Sequence, residues 1–359
     1  MTQTINSAYR ISKMNFIFNN KLKEEKKNVG SQLNGVSKAI SKLADDIKND
    51  MKEEINNNGL YAKEKEAIAA LLKQKEILVQ EISMNKKDNG RFSVELYIEH
   101  NKNKDITEII LNILEKNLNE KFRMIERKIV ENEAKYILES DDKYNLEIGQ
   151  AIAIKDGNTV SGDSILHTKL KDGKYLLVIS DGMGSGPEAR KSSQIVVNML
   201  KRLLDSGFNK ETSIDLINSN LLNVGEDVYA TLDMAIVDLY KGNIEFVKAG
   251  CSPTYIKNKK KVQLIKSASL PTGIVKNISK QVLERKIEDG DLVFSCSDGV
   301  IDSTVEYKNK SLWIKYLLED MENTNPQKIA DIILNEAVDN NFGKVKDDMS
   351  ILVYKLIKR

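Results

Sequence analysis

The stretch Tyr175-Leu-Leu-Val-Ile-Ser-Asp-Gly-Met-Gly-Ser-Gly-Pro187 joins an apolar strand pattern to a glycine-rich turn and a helix start. The residues up to Ser180 predict a buried strand, and proline is favoured in the first turn of a helix. Asp181 therefore lies at the rim of a packed sheet. A carboxylate there can ligate a hard divalent cation, and Gly182 lets a backbone carbonyl approach the same ion.

Three more aspartates stand at strand ends. Asp298 follows a second apolar strand pattern, Asp347 precedes the last one, and Asp163 follows an earlier one. An isolated aspartate of this kind is more simply a turn residue that accepts hydrogen bonds from backbone amides. Turn chemistry does not require an aspartate at every one of these strand ends, so the joint pattern predicts a metal site.

The glycine-rich turn, the cysteines and His167 suggest other kinds of functional site, but each of these interpretations is weaker than the metal site. The spacing Gly-x-Gly-x-Gly is not that of a dinucleotide loop, and Asp181 would repel phosphate there. Cys296 fails as a phosphatase nucleophile, because Asp302 stands where such enzymes have a phosphate-binding arginine, six residues later. His167, on a strand pattern, is more simply structural.

Composition excludes other classes of protein. Lys+Arg (55) and Asp+Glu (53) nearly cancel, and the net charge of +2 gives no global case for nucleic acid. No apolar run approaches a membrane span, and the N-terminus lacks the pattern of a secretory signal. We therefore expect a cytoplasmic chain with two reduced cysteines.

The composition changes near residues 90 and 143, which predicts three regions. Residues 1–90 read as a regulatory and oligomerisation region of long amphipathic helices with coiled-coil character, and we expect a second helix over 60–84. Residues 91–143 predict a small α/β regulatory segment. The stripe of the first helix consists of Val29, Leu33, Val36, Ile40, Leu43, Ile47 and Met51.

Residues 144–359 show many short strands with tight turns, of which Lys241-Gly-Asn243 is a hairpin turn. Helices are predicted in two pairs, at 187–206 and 211–223 and again at 311–321 and 326–340. This order favours an α+β sandwich over the regular alternation of a parallel sheet.

The motifs of this part resemble the PPM family of metal-dependent serine/threonine phosphatases, also called type 2C. Asp-Gly-Met-Gly is typical of its bacterial sporulation and stress-response branch. The resemblance is strong over 144–359 and weak before it. It rests on Val160-Ser-Gly-Asp-Ser164, Asp181-Gly-Met-Gly-Ser-Gly186, Ala230-Thr-Leu-Asp233, Ala249-Gly-Cys-Ser-Pro253, Leu270-Pro-Thr-Gly-Ile274, Ser297-Asp-Gly299 and Lys346-Asp-Asp-Met-Ser350.

The resemblance implies an α-β-β-α sandwich of two mainly antiparallel sheets and a site for two cations, manganese first and magnesium as the alternative. Asp181 would bridge both ions, and Gly182 would offer its carbonyl to the second. Asp298 and Asp347 would ligate the first ion, and Asp163 would stand near the second. Water on the metals would then attack phosphorus, so no covalent intermediate is needed.

Some residues depart from the family pattern or stand beside it. Met183 replaces the histidine that larger members use as a proposed general acid, and no arginine lies near Asp163 in sequence to clamp the phosphate. Asp348 is expected to orient its neighbour, and Asp233 to serve the fold. The basic run 257–261 is most simply a solvated hairpin turn, with contact to an acidic partner as the alternative.

The resemblance also implies partners. The substrate would be a phosphoserine on an anti-anti-sigma factor, whose dephosphorylation frees a sporulation sigma factor. The region ahead of the phosphatase domain would self-associate, bind a cell-division protein and switch activity through helices 187–206 and 211–223. An alternative is a scaffold at the division site with the phosphatase as secondary output. A longer natural form would be associated with the membrane or septum.

Overall fold

The structure, a computed structural model, describes most of residues 61–359 and, before them, positions 37, 40, 41, 44 and 48. Those five positions are helical, and the rest of the predicted first helix lies outside the described residues. The positions left out after residue 60 are 88, 100–104, 131–132, 225–227, 260, 267–268, 277–280, 305–307 and 323–324.

The chain divides into two compact units. The described residues of the N-terminal unit lie within Ala44–Leu146, Asp238–Asn243 and Leu356–Arg359. It contains one antiparallel sheet, with the strand order β1-β2-β4-β3. Its helices and strands are α1 (Ala62–Gln74), β1 (Val79–Lys86), β2 (Phe92–Glu99), α2 (Thr107–Leu118), β3 (Phe122–Val130) and β4 (Glu133–Ser140).

Alternate side chains of β2 point into the core of the N-terminal unit. Val94, Leu96 and Ile98 of β2 are fully buried, and they pack with Ile68 of α1 and Ile110 of α2 in one cluster. The division of residues 1–143 at residue 90 stays a prediction, although β1 and β2 pair across that position.

The helix predicted over 60–84 is wrong in its second half, because α1 ends at Gln74. Glu76 adopts a left-handed conformation (φ 60°), its N–H bonds the Lys73 carbonyl, and the N–H of Ile77 bonds the Leu72 carbonyl. These two bonds form a Schellman motif, which usually carries glycine and here carries glutamate. The residues of β1 form backbone hydrogen bonds to β2. This pairing outweighs the helical pattern of their sequence.

Among the described residues after residue 60, the C-terminal unit consists of those within Glu147–Val237 and Ile244–Lys355. It holds two five-stranded sheets, ordered β11-β10-β13-β14-β5 and β12-β9-β8-β7-β6. The strands are β5 (Tyr144–Ala153), β6 (Asp163–Lys169), β7 (Tyr175–Asp181), β8 (Leu232–Asp238), β9 (Asn243–Ala249), β10 (Thr254–Asn258), β11 (Lys261–Ile265), β12 (Gln281–Lys286), β13 (Leu292–Cys296) and β14 (Met349–Lys358).

A pair of helices covers the outer face of each sheet, as the sequence predicts. Helices α3 (Pro187–Asp205) and α4 (Lys210–Val224) pack on the sheet of β7 and β8. Helices α6 (Ser311–Asp320) and α7 (Pro326–Asn340) pack on the sheet of β13 and β14, beside the short α5 (Asp298–Ile301). The two sheets meet where Thr254 bonds Asp233, so the α-β-β-α sandwich is confirmed.

Two details differ from expectation. The strands β11 and β12 have no counterpart among the strand candidates of the sequence, which are 146–154, 175–180, 229–240, 243–249, 252–257, 292–297 and 350–356, together with the strand pattern around His167. Lys257 is also not a solvated turn residue, because it is buried and its ammonium group donates to the carbonyls of Leu318 and Met321 at the end of α6. Among the described residues, no helix is long and apolar enough to cross a membrane.

Candidate metal centre

Asp163 and Asp181 face each other directly. They are the first residue of β6 and the last of β7, and the antiparallel register pairs them. Thr231 fixes the backbone of Asp181 from the other side, since its hydroxyl accepts from the Asp181 N–H at 2.9 Å and its own N–H donates to the Asp181 carbonyl at 2.8 Å. The strand pairing therefore brings two predicted ligands together.

Asp163 is a buried carboxylate without a partner. It is 1% exposed, and neither carboxylate oxygen accepts a hydrogen bond. Burial raises the pKa of Asp163 to about 6, against the lowering effect of the neighbouring side chains of Ser297, Ser350 and Asp181. None of these side chains donates a hydrogen bond to the carboxylate in the structure. An unpaired buried carboxylate is costly, and a cation is its usual compensation.

Asp181, Asp298 and Asp347 lie close enough to repel one another. Burial, and then the charges of Asp163, Asp298 and Asp347, hold the pKa of Asp181 well above its ordinary range. Asp298 is exposed to solvent, yet it has enough protein around it that burial, and next the charge of Asp347, raise its pKa. Among the described residues, however, no three acidic, histidine or cysteine side chains already surround one point as a metal site.

Two glycines allow the backbones at the site to approach closely. A Cβ on Gly182 would lie 1.9 Å from the Ala189 carbonyl oxygen in the first turn of α3. A Cβ on Gly299 would lie 2.2 Å from the Asp348 carbonyl oxygen. Both contacts exclude any side chain, so the glycines set how near α3 and the segment before β14 come to the aspartates.

The carboxylates of Asp348 and Asp233 are already bound by other groups of the chain. The Asp348 carboxylate accepts from the N–H of Lys155 at 2.9 Å and from that of Gly162 at 2.8 Å, so it fixes both ends of the loop before Asp163. Asp233 pairs with the fully buried Lys248 at 2.7 Å. The structure thus gives Asp348 an orienting position and Asp233 a place in the core.

The alternative nucleophile and acid are not supported by their surroundings. Burial holds the pKa of Cys296 well above its ordinary value, so its thiol stays protonated at neutral pH. His167 is exposed and lies four residues along β6 from Asp163, about 13 Å away in a strand. Met183 is 42% exposed beside the site and carries no titratable group.

Two cations near the aspartates carry no signal in the sequence. Arg190 in the first turn of α3 donates from Nη1 to the Asp163 carbonyl oxygen at 2.6 Å. Lys155 lies with Nζ 3.7 Å from Asp347 Oδ1. Arg190 follows Asp163 by 27 residues, and Lys155 precedes Asp347 by 192, so proximity in sequence could not reveal either contact.

A cavity of about 220 Å³ lies beside Asp181 and Asp298 and is lined by residues of both sheets. Its lining includes two of the four aspartates, Asp181 and Asp298, and both cysteines. The lining residues are Ile179, Asp181, Thr231, Asp233, Gly250, Cys251, Ser252, Cys296, Ser297 and Asp298.

Comparison with known families gives two matches that together span most of the chain. Residues 171–357 match the family model described as "Stage II sporulation protein E (SpoIIE)". Residues 1–139 match the model described as "SpoIIE, regulatory domain".

Individual relatives agree with these matches. The stage II sporulation protein E of Priestia megaterium is 31% identical over 346 residues, which cover 93% of this chain and 57% of that protein. That of Bacillus subtilis (strain 168) is 29% identical over 340 residues, covering 94% and 40%. This chain therefore spans about half the length of the curated relatives it matches.

A solved structure matches nearly the whole chain. It contains the PP2C phosphatase domain and a fragment of the regulatory domain of the cell fate determinant SpoIIE from Bacillus subtilis. The two chains are 28% identical, with a TM-score of 0.71, over 95% of this chain and 98% of that one.

Proposed function

This chain belongs to the stage II sporulation protein E family, and from that premise we propose that it removes phosphate from a phosphoserine of an anti-anti-sigma factor through a two-metal site. Its C-terminal part is a protein serine/threonine phosphatase domain of the PPM family, whose members depend on metal ions. The substrate, the number of ions and the preference for manganese over magnesium belong to the proposal.

One observation carries the two-metal site: the buried, unpartnered carboxylate of Asp163 opposite Asp181. The available donors are carboxylate and carbonyl oxygens, which suit hard divalent cations. We assign Asp181 to both ions, Asp298 and Asp347 to the first, and Gly182 through its carbonyl and Asp163 to the second. The side chains must turn toward the common ions, since they do not yet surround one point.

The chemistry that bound divalent cations supply here is an activated water and neutralised charge on the phosphoryl oxygens. The chain's own residues hold the geometry. Thr231 fixes Asp181, Asp348 fixes the loop before Asp163, and Arg190 holds the Asp163 carbonyl. His167 stands too far away to protonate the leaving serine oxygen, so we assign that proton to solvent water.

The test is release of phosphate from a phosphorylated anti-anti-sigma factor by the full chain during a manganese titration, repeated with magnesium. Asp181→Asn and Asp298→Asn each remove a charge that the ions need. We expect kcat/KM to fall about 10²- to 10³-fold, since a bound ion contributes several kcal/mol of charge stabilisation. Asp172→Asn, in an exposed turn, serves as the control and should retain activity. Full turnover by either site variant would refute the mechanism.

The second candidate function is a scaffold at the division site, with the phosphatase as secondary output. The match of residues 1–139 to a regulatory domain favours it, because this part carries none of the proposed ligands. Self-association belongs to the same candidate. It predicts that the full chain with Asp181→Asn still self-associates and still binds a cell-division protein, measured by sedimentation and by affinity capture of the purified partner.

A further inference from the structure

Lys155 is a cation at the edge of the proposed metal centre. Its Nζ lies 3.7 Å from Oδ1 of Asp347, and among the described residues no other lysine or arginine forms an ion pair with Asp163, Asp181, Asp298 or Asp347. The side chain of Lys155 is 38% exposed and that of Asp347 is 51% exposed. The side chain of Lys155 is thus partly accessible to solvent beside Asp347.

The backbone below Lys155 is held firmly. Its N–H donates to Asp348 Oδ1 at 2.9 Å, and its carbonyl accepts from the Asn158 N–H at 3.0 Å across a turn. The next residue, Asp156, exchanges two hydrogen bonds with Val345, at 2.9 Å and 3.2 Å. Because the backbone that carries this lysine is fixed, less conformational entropy is lost when the ammonium group binds an anion.

The ammonium group of Lys155 keeps its donors available. At 3.7 Å its contact with Asp347 is longer than a hydrogen bond, and an ion pair this exposed contributes at most about 1 kcal/mol. A phosphoryl group carries more charge and more acceptor oxygens than one carboxylate, so it competes well for the same ammonium. The ammonium group can therefore exchange the Asp347 carboxylate for a phosphoryl group at a small cost in free energy.

Arg190 is the other cation near the aspartates, and it is already engaged. Its guanidinium donates to the Asp163 backbone carbonyl at 2.6 Å, beside a residue that is 1% exposed. Arg190 thus joins α3 to β6 as a positioning residue. Lys155 has a partly exposed side chain, and its ammonium group forms no such hydrogen bond with a described residue, so it is better placed to contact a substrate.

We propose that Lys155 binds the phosphoryl oxygens of the phosphoserine substrate and of the phosphate product. This inference rests on the proposed function for the identity of the substrate. It makes Lys155 a catalytic residue that contacts the reacting group, whereas a charge-balancing partner of Asp347 would act only through that carboxylate.

The experiment uses the full chain saturated with manganese and compares Lys155→Met with Lys155→Arg. Lys310→Met is the matched control, because Lys310 is 43% exposed and pairs at 2.9 Å with Asp302, just after α5. The measurements are the calorimetric Kd of inorganic phosphate, the Kd of manganese, and KM and kcat for the phosphorylated anti-anti-sigma factor. Lys155→Gln replaces Lys155→Met if the latter does not fold.

We expect Lys155→Met to weaken phosphate binding about 10- to 100-fold, as for loss of one charge-assisted hydrogen bond, and to raise KM similarly. Lys155→Arg keeps the positive charge and should stay within about threefold of wild type, and Lys310→Met should match wild type. Manganese affinity should not fall in any of the variants. Unchanged phosphate affinity in Lys155→Met, or no phosphate binding by the wild-type chain, would overturn the proposal.

Other outcomes separate this inference from the proposed function. If Lys155→Met loses manganese affinity but binds phosphate normally once saturated, Lys155 only positions Asp347 and the inference fails alone. If the wild-type chain binds phosphate through Lys155 yet hydrolyses no phosphoserine protein, the proposed function fails and the phosphate site stands.

Discussion

At the residue scale, Asp163 shows how the fold buries a carboxylate that a cation can neutralise. The sequence places it in a Ser-Gly-Asp-Ser turn, where aspartate is ordinary. The register of β6 then turns it inward against Asp181 at 1% exposure. Burial at this level penalises the charged form and raises its pKa, so stability depends on pH and on cations.

Asp163→Asn is expected to stabilise the chain in the presence of a metal chelator at pH 7. Folding raises the pKa of Asp163 from 3.8 to about 6, so the folded chain binds the proton more tightly than the unfolded chain. The free energy of unfolding therefore falls as pH rises through that window. The gain from the substitution should be on the order of one to a few kcal/mol at pH 7, and should vanish below about pH 4.

Urea unfolding of wild type and Asp163→Asn at pH 4 and pH 7 measures this difference. Asp172→Asn provides the control, since Asp172 is an exposed turn residue. A variant that is less stable than wild type at pH 7 would show that Asp163 is stabilised by partners, against the structure.

At the element scale, the site depends on how closely α3 approaches the turn after β7. The Ala189 carbonyl would lie 1.9 Å from a Cβ on Gly182, so only glycine permits the contact. Arg190, in the same first turn, bonds the Asp163 carbonyl. The start of α3 therefore contacts both β6 and the turn after β7, and small movements of this helix reach two proposed ligands.

Gly182→Ala should displace α3 and lower manganese affinity and activity together. We expect at least a tenfold loss of manganese affinity, as for changes that misorient metal ligands, measured by calorimetry. Gly290→Ala is the control, since a Cβ there meets nothing within 4 Å although φ is +85°. That variant should cost about 1 kcal/mol of stability from backbone strain and keep its manganese affinity.

Lys257 stabilises a helix end through its ammonium group. It is buried, and it donates to the carbonyls of Leu318 and Met321 at the end of α6. Lys257→Met should leave these carbonyls unsatisfied and lower the free energy of unfolding by about 1–3 kcal/mol. Lys261→Met, at an exposed position of the same hairpin, should change stability by less than about 0.5 kcal/mol in the same denaturation experiment.

At the scale of the whole molecule, the two compact units divide the chemistry. The C-terminal unit contains all the proposed ligands, and the N-terminal unit has its own sheet and core. That core also contains a nearly fully buried Arg91–Asp142 ion pair at 2.5 Å. An ion that binds only the folded C-terminal unit should stabilise that unit.

Manganese should therefore raise the melting temperature of the full chain in calorimetry. At a free concentration of 100 times its Kd, the linked stabilisation is about 2.7 kcal/mol. Asp298→Asn should remove most of this shift. An equal shift in wild type and variant would mean that manganese binds elsewhere.

The sequence by itself determined the α+β sandwich class, its two helix pairs and the positions of four aspartates at strand ends, because strand alternation, helix periodicity and strand-end motifs are local patterns. It could not determine the end of α1, where glutamate occupies a glycine conformation, nor the burial of Lys257. Only the tertiary structure paired Asp163 with Asp181 and brought Lys155 and Arg190 to the site. Such contacts join residues far apart in the chain, and strand register and helix packing decide them.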